Sequence, residues 1–447
     1  MSDGPEREGR FMFAVYNLLL LLASPVILLI LLAKKRCRPG LRQRLGWLPQ
    51  DLVESRDGRP TIWVHAVSMG EATAVVPLVQ QLKTRYPAAR VFVSTVTETG
   101  KETVLRRLAG QAEHLYFPLD FPWSVRSALQ TVRPSLIVVV ETEFWPNFLR
   151  EAAARRIPVI LVNGRLSTDS FAGYRRLRPF FRRVLAAFTI CAMQTDRDVE
   201  RMIQLGVEQK RVVRTGNLKY DQVAVSAQAT AGLISRQDLI LAESEELFVA
   251  GSTHPGEEEA LLDCYRRLLD VAPTLVLVLA PRHIERAEDV VRTVQSRGFT
   301  AVRRTKLPGA GGAPITGPRV IILDTRGELA TLYRDSTLVF VGGSLVNVGG
   351  HSPLEPAAWG KAVVFGPHMD HFAEAAEQFL ACGAGVMVRD AHEMTRTMTS
   401  LLLDRSRLEV MGKAAYQLVL ENQGALARTV ALIASVLVSV QPSAVSS

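Results

Sequence analysis

The sequence predicts an α/β protein with two doubly wound domains that follow an apolar N-terminal anchor. From Thr61 onward, short β-branched apolar runs alternate with helical patterns, which is typical of a parallel sheet covered by helices. The alternation is interrupted over residues 222–243 and then restarts, so two sheets are expected. Residues 11–33 carry no charge, in a chain in which 22% of the residues are charged.

The length of the chain also favours more than one domain. A chain of 447 residues exceeds what one hydrophobic core usually holds. We expect an anchor and basic linker at 1–45, an N-terminal domain at 46–228, a C-terminal domain at 229–430 and a tail at 431–447.

The apolar run at 11–33 is long enough to cross ~30 Å of hydrocarbon as a helix, with a kink at Pro25. A cleaved signal peptide is the alternative, but the run is long and no small-x-small cleavage site follows it. Basic residues follow the run, whereas acidic residues offset the arginines before it. The following basic residues are Lys34, Lys35, Arg36, Arg38, Arg42 and Arg44. This asymmetry predicts that both domains lie on the cytoplasmic side.

The net charge indicates which classes of partner to expect, and the cysteine content indicates the redox state of the compartment. The formal net charge of +9 favours anionic partners, and no zinc-finger, RNP or basic-zipper signature indicates nucleic acid. The anchor therefore favours lipid headgroups or a nucleotide. The cysteines are widely spaced and form no CxxC or Cys/His metal pattern, so we expect reduced structural thiols. They are Cys37, Cys191, Cys264 and Cys382.

Ligands of doubly wound folds bind at the carboxyl ends of the strands, so the turns that follow the strands carry the candidate residues. In HAVSMGE, Glu71 lies three residues after Ser68 at the start of a helix. This spacing fits a capping box, in which Glu71 has only a structural role. It equally fits a general base that the helix N-terminus keeps ionised, with Gly70 leaving room for a substrate.

Two further turns of the first half carry charged candidates. Glu141 ends the apolar strand LIVVVE, and Glu143 lies on the same side if the strand continues. A carboxylate at the end of a buried strand needs a partner, which favours a functional role. Lys219 in GNLKYD is either a solvated loop lysine or a cation that stabilises a leaving phosphate or a substrate carboxylate.

In the second half, the stretch FVGGSLVNVGGHSPLEPAAWG reads as a strand, a glycine loop and the N-terminus of a helix. Free N–H groups at such a loop favour a phosphate. A capping box formed by Ser352, Pro353 and Glu355 is the structural alternative. Arg282, on the turn PRHIER after another strand, suits phosphate recognition.

Two more segments have competing interpretations. The sequence DRD at Asp196–Asp198 resembles a metal-binding DxD motif, but its place at the start of a helix favours capping, and no metal is assigned. Residues 171–188 interleave five arginines with Phe171, Tyr174, Phe180 and Phe181. This pattern favours a surface that meets anionic lipid over a simple solvated helix face.

Taken together, these turns closely resemble the motifs of the 3-deoxy-D-manno-octulosonic acid (Kdo) transferase family. The resemblance extends from the anchor to about residue 425. The motifs follow in family order: HAVSMGE, ETEFWPN, GRLS, GNLKYD, GSTHPGEE, PRHIER, DTRGEL, FVGGSLV and GGHSPLEP. The resemblance implies a GT-B fold, with two Rossmann-like domains that face each other across a cleft.

The resemblance further implies transfer of Kdo from CMP-Kdo to an anionic lipid A precursor at the inner membrane, with inversion and without a metal or other cofactor. It makes Glu71 the catalytic base, assisted by Glu141 and Lys219. It assigns CMP binding to seven positions. These are Pro281, Arg282, Gly327, Glu328, Pro353, Leu354 and Glu355.

Three positions depart from the family pattern, in which Asn is usual at Ser352, Met at Arg326 and Ala at Gly164. Two other functions remain open. A nucleotide-sugar epimerase shares the two-domain architecture, although an epimerase of soluble sugar nucleotides would not need a membrane anchor. A catalytically silent membrane scaffold is disfavoured because Glu71, Glu141 and Lys219 are all present.

Overall fold

A computed structural model of the protein describes residues 4–33, 38–49, 59–230, 234–307 and 317–440. The chain forms two compact units. The first contains Met1–Asp221 together with Gln423–Ser447, and the second contains Gln222–Asn422. Each unit is built around one seven-stranded sheet in which all paired strands are parallel.

The sheet of the first unit has the strand order β3-β2-β1-β4-β5-β6-β7. The order reverses direction between β1 and β4, which is the switch point where doubly wound sheets bind ligands. The strands are β1 (Thr61–His65), β2 (Arg90–Thr95), β3 (Glu113–Tyr116), β4 (Leu136–Val140), β5 (Val159–Gly164), β6 (Ile190–Met193) and β7 (Val212–Arg214).

Helices cover both faces of this sheet. Side chains of a strand alternate between the two faces, so Trp63 joins one buried cluster while its neighbours Ile62 and Val64 join the other. The helices are α1 (Gly4–Ala33), α2 (Leu41–Arg44), α3 (Met69–Arg85), α4 (Glu98–Arg107), α5 (Pro122–Val132), α6 (Pro146–Ala154), α7 (Thr168–Arg176), α8 (Arg178–Leu185), α9 (Asp196–Leu205) and α10 (Leu218–Thr230), of which α10 crosses the boundary between the units.

The sheet of the second unit has the order β10-β11-β9-β8-β12-β13-β14, with its switch point between β8 and β12. Its strands are β8 (Glu246–Thr253), β9 (Leu275–Pro281), β10 (Thr300–Arg303), β11 (Arg319–Ile322), β12 (Ser336–Val341), β13 (Val363–Phe365) and β14 (Gly385–Met387). Its helices are α11 (Glu257–Leu268), α12 (Ala287–Ser296), α13 (Leu329–Asp335), α14 (Leu354–Ala357), α15 (Ala373–Ala381), α16 (Ala391–Leu403) and α17 (Arg405–Asn422).

The last helix, α18 (Ala425–Val440), belongs to the first unit, whereas the prediction assigned residues up to 430 to the C-terminal domain and the rest to a tail. It packs in the first unit, where Ala425 and Ile433 are fully buried in the cluster below β1. The Asp221 carboxylate accepts hydrogen bonds from the N–H groups of Gly424 (2.7 Å) and Leu426 (2.9 Å). The apolar residues of this helix need burial, and the first unit provides it, so the predicted domain end at 430 and the tail from 431 differ from the structure.

The arginine-rich segment forms α7 and α8. Its aromatic residues Phe171, Tyr174 and Phe180 pack against the core of the first unit, while Arg175, Arg176 and most of the other arginines stay exposed. Core packing thus accounts for the aromatic residues that the sequence interpretation ascribed to lipid contact.

Helix α1 includes a stretch, Glu8–Leu31, that is long and apolar enough to cross a membrane by length and composition. The basic residues Lys34, Lys35 and Arg36, three of the six behind the predicted orientation, lie outside the described residues, as does Cys37. The remaining cysteines are free thiols, buried at Cys191 and Cys264 and exposed at Cys382.

Candidate functional site

The first unit gathers three carboxylates, Glu71, Glu141 and Glu143, at the carboxyl ends of β1 and β4. We call these three residues the carboxylate cluster. Since β1 and β4 are the strands that flank the switch point, the loops after them lie where a doubly wound fold binds its ligand. The cluster therefore contains Glu71 and Glu141 as predicted, together with Glu143.

Glu71 caps its own helix and lies in the field of other charges. Ser68 is the N-cap of α3, and its Oγ accepts from the Glu71 N–H (3.4 Å) and donates to Glu71 Oε1 (2.9 Å). The Val67 N–H donates to Glu71 Oε2 (2.8 Å). Burial raises the pKa of Glu71, and the charge of Glu141 raises it further, while these hydrogen bonds and Lys219 oppose the rise.

A side chain at position 70 would meet only Ser68 Oγ, at 3.8 Å, so Gly70 leaves open space beside Glu71. The helix-capping contacts and this position in the cluster coexist. Capping and a place in the carboxylate cluster are therefore compatible for Glu71.

Glu141 is held in a conformation that non-glycine residues seldom adopt. Strand β4 ends at Val140, and Glu141 has a φ of 59° while its N–H still bonds to the Val162 carbonyl (3.0 Å). A left-handed backbone at such a residue costs on the order of 1–3 kcal/mol and is found preferentially at functional sites. The strand does not continue to Glu143 as the period-2 interpretation assumed.

The side chain of Glu141 is buried but paired. Its Oε2 lies 3.1 Å from Arg165 Nε and its Oε1 lies 3.6 Å from Lys219 Nζ. These two cations balance the cost of burying the carboxylate. Lys219 is therefore not a solvated loop lysine, because it is positioned beside the carboxylate cluster.

Glu143 is the member of the cluster that sequence reasoning did not select. Its Oε2 accepts a hydrogen bond from Trp145 Nε1 (2.8 Å). Burial, followed by the charge of Glu71, raises its pKa to about 7, and Glu141 adds to the rise. Glu143 is thus a carboxyl group that gains or loses its proton near neutral pH.

The backbone around Lys219 is fixed by buried amides. Asn163, which has a φ of 54°, accepts from the Leu218 N–H at its Oδ1 (3.0 Å). Asn217 accepts from the Lys219 N–H (2.9 Å) and donates to Gln194 (2.9 Å). The motifs NGRLS and GNLKYD, far apart in the sequence, therefore position Lys219 together.

In the second unit, the glycine loop after β12 is held by a carboxylate of the protein itself. Glu257, at the start of α11, is fully buried and accepts four backbone N–H bonds at 2.7–3.0 Å. The donors are His254, Gly343, Ser344 and Leu345. The N–H groups that the sequence interpretation reserved for a phosphate are thus already used at these positions.

The helix after the glycine loop is shorter than predicted. Helix α14 spans only Leu354–Ala357, its N-cap is Pro353, and no side chain caps it. The capping box proposed for Ser352 and Glu355 is therefore wrong, and a single turn has too small a dipole to hold an anion. Gly360, whose φ of 66° does not continue a helix, lies three residues after the last residue of α14.

Arg282 and Glu355 are brought together with a group of imidazoles. Arg282 follows the last residue of β9, Pro281, and its N–H bonds to the Thr253 carbonyl (3.0 Å). Burial raises the pKa of Glu355, whereas the Arg282 charge lowers it. Pro353 and Leu354 are buried, so their side chains have little surface for a ligand.

Three histidines stand beside Arg282. Nε2 of His254 lies 2.9 Å from Nε2 of His351 with the rings stacked, and His283 is edge-on to His254 with ring centroids 6.0 Å apart. Burial, followed by the Arg282 charge, lowers the pKa of His351 to about 4. We call His254, His283 and His351 the histidine cluster, which sequence reasoning did not select although GSTH, PRH and GGH each end in one of its members.

The predicted pair Gly327–Glu328 lies on the loop before α13. Gly327 has a φ of 91° with open space around it. Glu328 accepts from Thr325 (2.5 Å) and pairs with Arg304 (3.2 Å). Arg326, where the family usually has Met, forms an exposed ion pair with Glu285 (3.1 Å).

Comparison with known proteins identifies the family. Residues 39–222 match the model of the 3-deoxy-D-manno-octulosonic-acid transferase (kdotransferase) family. The 3-deoxy-D-manno-octulosonic acid transferase of Haemophilus influenzae is 33% identical over 426 residues, covering 94% of this chain and 97% of the relative. That of Bordetella pertussis is 32% identical over 381 residues, covering 82% of this chain and 85% of the relative.

Among solved structures, the UDP-GlcNAc 2-epimerase from Neisseria meningitidis aligns with a TM-score of 0.58 at 13% identity, over 85% of this chain and 100% of that chain. This likeness shows the two-unit GT-B fold alone. The full-length sequence matches decide the family: the chain is a glycosyltransferase that belongs to the 3-deoxy-D-manno-octulosonic acid transferase family.

Proposed function

We propose that the protein transfers Kdo from CMP-Kdo to a hydroxyl group of a lipid A precursor. The carboxylate cluster is the observation that carries this proposal, because it places a glutamate of raised pKa beside a lysine at the switch point of the first sheet. Glu71 removes the proton of the acceptor hydroxyl as its oxygen bonds to the anomeric carbon of Kdo. The bond from that carbon to the phosphate oxygen of CMP breaks, and CMP leaves with the electron pair. A single displacement inverts the configuration.

Lys219 and Glu141 have supporting roles in this proposal. Lys219 stabilises negative charge on the sugar carboxylate or the leaving phosphate, since a positioned cation is effective where charge develops. Glu141 keeps Lys219 and Arg165 in place through its two ion pairs. Glu141 is thus a positioning residue rather than a second base.

In the second unit, the proposal assigns CMP to the region of Arg282, Glu355 and the turn Gly327–Glu328. Since Glu257 accepts the N–H groups of Gly343, Ser344 and Leu345, we assign recognition of the phosphate to Arg282 and the histidine cluster. Pro353 and Leu354 contribute backbone shape rather than side-chain contacts. Within the described residues, no group of three or more His, Cys, Asp or Glu side chains has an arrangement that could hold a metal ion.

The acceptor and the location follow from the outer surface of the first unit. Helix α1 and the exposed arginines of α7 and α8 suit an anionic lipid held at a membrane. We place the protein at the inner membrane with both units on the cytoplasmic side.

The proposal predicts how activity depends on pH. A base works only when it is deprotonated, so a raised pKa of Glu71 moves the acid limb of kcat/KM above the ordinary glutamate value of 4.5. The Glu141→Gln variant should shift this limb to lower pH, because it removes the neighbouring carboxylate whose charge disfavours ionisation of Glu71. Rates measured from pH 5 to 9 test this, with the remote Glu113→Gln variant as control. An unchanged limb in Glu141→Gln would contradict the coupling of the two carboxylates.

Product analysis tests the function itself. Purified protein in detergent is incubated with CMP-Kdo and a tetra-acylated lipid A precursor, and the mass of the lipid product is measured by mass spectrometry. We expect the lipid to gain whole Kdo units while CMP is released. Conversion of UDP-GlcNAc to its 2-epimer without Kdo transfer would favour the epimerase alternative, for which the only support is the shared fold.

A further inference from the structure

Helix α1 contacts the first unit through side chains between Glu8 and Asn17. Phe13 is 8% exposed, lies edge-on to Phe180 with centroids 5.4 Å apart, and carries Arg150 over its ring. Glu8 pairs with Arg183 (2.8 Å). The N-terminal part of the apolar stretch is therefore attached to the folded body.

Two polar residues of the apolar stretch, Tyr16 and Asn17, make hydrogen bonds to the first unit. The Tyr16 hydroxyl donates to Asp120 (2.9 Å), and Asn17 Oδ1 accepts from Asn147 Nδ2 (2.6 Å). The same Asp120 carboxylate accepts the N–H groups of Asn147 and Phe148 at the start of α6. Tyr16 and Asn17 would be costly in hydrocarbon, and here both have partners in the motif ETEFWPN or beside it.

The chain is attached again, close to the same place, after α1. The Arg44 carbonyl accepts from the Leu119 N–H (2.7 Å) and the Ser124 hydroxyl (2.6 Å). Gln43 accepts from the Tyr116 N–H (2.9 Å). The residues before and after the exposed part of α1 thus both contact the segment that runs from Tyr116 to Ser124.

Between these attachments, α1 exposes apolar side chains around much of its circumference. The exposed large side chains are Leu18, Leu19, Leu21, Leu22, Val26, Leu28, Leu29 and Ile30. Neighbours such as Leu18, Leu19, Leu21 and Leu22 spread wider than the ~100° stripe that a helix buries against a protein partner. A lipid phase, which contacts a helix from many directions, fits this surface better than a second protein.

The length of the exposed part is short for a full crossing. Residues 18–33 make a helix of ~24 Å at ~1.5 Å per residue, whereas the hydrocarbon core measures ~30 Å. Trp47 and Trp123 lie close in sequence to the contacts of Gln43 and Arg44 with the segment from Tyr116 to Ser124, and they are 67% and 54% exposed. Because tryptophans prefer the membrane–water interface, both suit a surface that meets the membrane.

We propose that α1 is a one-leaflet anchor: it enters a phospholipid monolayer through residues 18–31, while Glu8–Asn17 stay on the same side of the membrane as the two units. A helix that spanned the bilayer would carry Glu8–Asn17 to the opposite side from Asp120 and Asn147, which bind them. The anchor thereby holds the ETEFWPN motif, and with it the carboxylate cluster, at the membrane surface.

Single-cysteine labelling in membranes tests this proposal. The exposed positions Arg10 and Gln295 are changed separately to cysteine, Leu22→Cys serves as the lipid-facing control, and Cys37 and Cys382 are replaced by serine. A membrane-impermeant maleimide is applied to spheroplasts and to inverted inner-membrane vesicles from expressing cells.

We expect R10C and Q295C to be labelled from the same face, and L22C only after detergent is added. Labelling of R10C from the face opposite to Q295C would show a spanning helix and overturn the proposal. Protection of R10C from both faces would overturn it as well, because it would place the first turns of α1 in lipid. The positions changed are exposed, so the variants should fold, and a thermal unfolding curve for each checks this.

Discussion

The Glu71→Gln variant should lose transfer activity by about 10²–10⁴-fold in kcat while keeping its fold, because general-base catalysis contributes that much and an amide cannot accept the proton. Glutamine keeps a carbonyl oxygen that can accept the Val67 N–H, so the cap of α3 is largely preserved. The measurement is the initial rate of Kdo transfer to the lipid, followed by mass spectrometry.

Glu393 offers a matched control on another helix. It lies at the same position relative to its N-cap, Asp390, and accepts the Arg389 N–H (2.9 Å), but it is remote from the carboxylate cluster in sequence and belongs to the second unit. The Arg389 side chain, which forms an ion pair with Glu393, lowers the pKa of Glu393 to about 2. If Glu393→Gln and Glu71→Gln reduced the rate equally, Glu71 would act through helix stability and not as the base.

The Arg282→Ala variant should weaken CMP binding by about 10- to 100-fold, because a hydrogen bond to a charged group contributes roughly 1.5–3 kcal/mol. The effect should appear in calorimetric titration with CMP and in KM for CMP-Kdo. The physical reason is that Glu257 occupies the N–H groups of Gly343, Ser344 and Leu345, so the proposal assigns the phosphate to the guanidinium of Arg282.

Arg326→Ala is the control for this prediction. Arg326 lies on the neighbouring loop in an exposed ion pair with Glu285, and such pairs contribute little. We expect it to bind CMP within about twofold of the unchanged protein. Unaltered CMP affinity in Arg282→Ala would remove Arg282 from the donor site and return phosphate recognition to other groups.

The order of the strands in the sequence was predictable because the buried strands are apolar throughout. Strands such as β4 and β9 are buried along their whole length and stand out as runs of valine and leucine. The strands that sequence analysis omitted, β3, β10 and β14, lie at sheet edges or are very short. An edge strand needs less apolar surface, so EHLY and TAVR do not differ from loop sequence.

The carboxylate cluster was only partly predictable. Glu71, Glu141 and Lys219 were identified from their motifs, and the structure brings them together. Glu143 could not be selected, because its raised pKa comes first from burial and then from the charge of Glu71, and both depend on how the chain folds after the left-handed turn at Glu141. No pattern in the sequence predicts a left-handed backbone conformation at a glutamate.

The second unit shows where pattern reasoning fails. The motif GSTHPGEE predicts the start of a helix. It does not predict that Glu257 binds the loop after β12, because this tertiary contact joins residues that are 86 to 88 positions apart in the sequence. The departure at Gly164 likewise has a packing reason, because an added side chain would lie 2.7 Å from the sulfur of buried Met193.

The central claim is that the carboxylate cluster performs the chemistry while the second unit holds the nucleotide. Calorimetric titration of CMP into Glu71→Gln tests it most directly, on the same sample whose transfer rate is measured. The account predicts CMP affinity equal to that of the unchanged protein in a variant that no longer transfers Kdo. Loss of CMP binding in parallel with loss of transfer would contradict it.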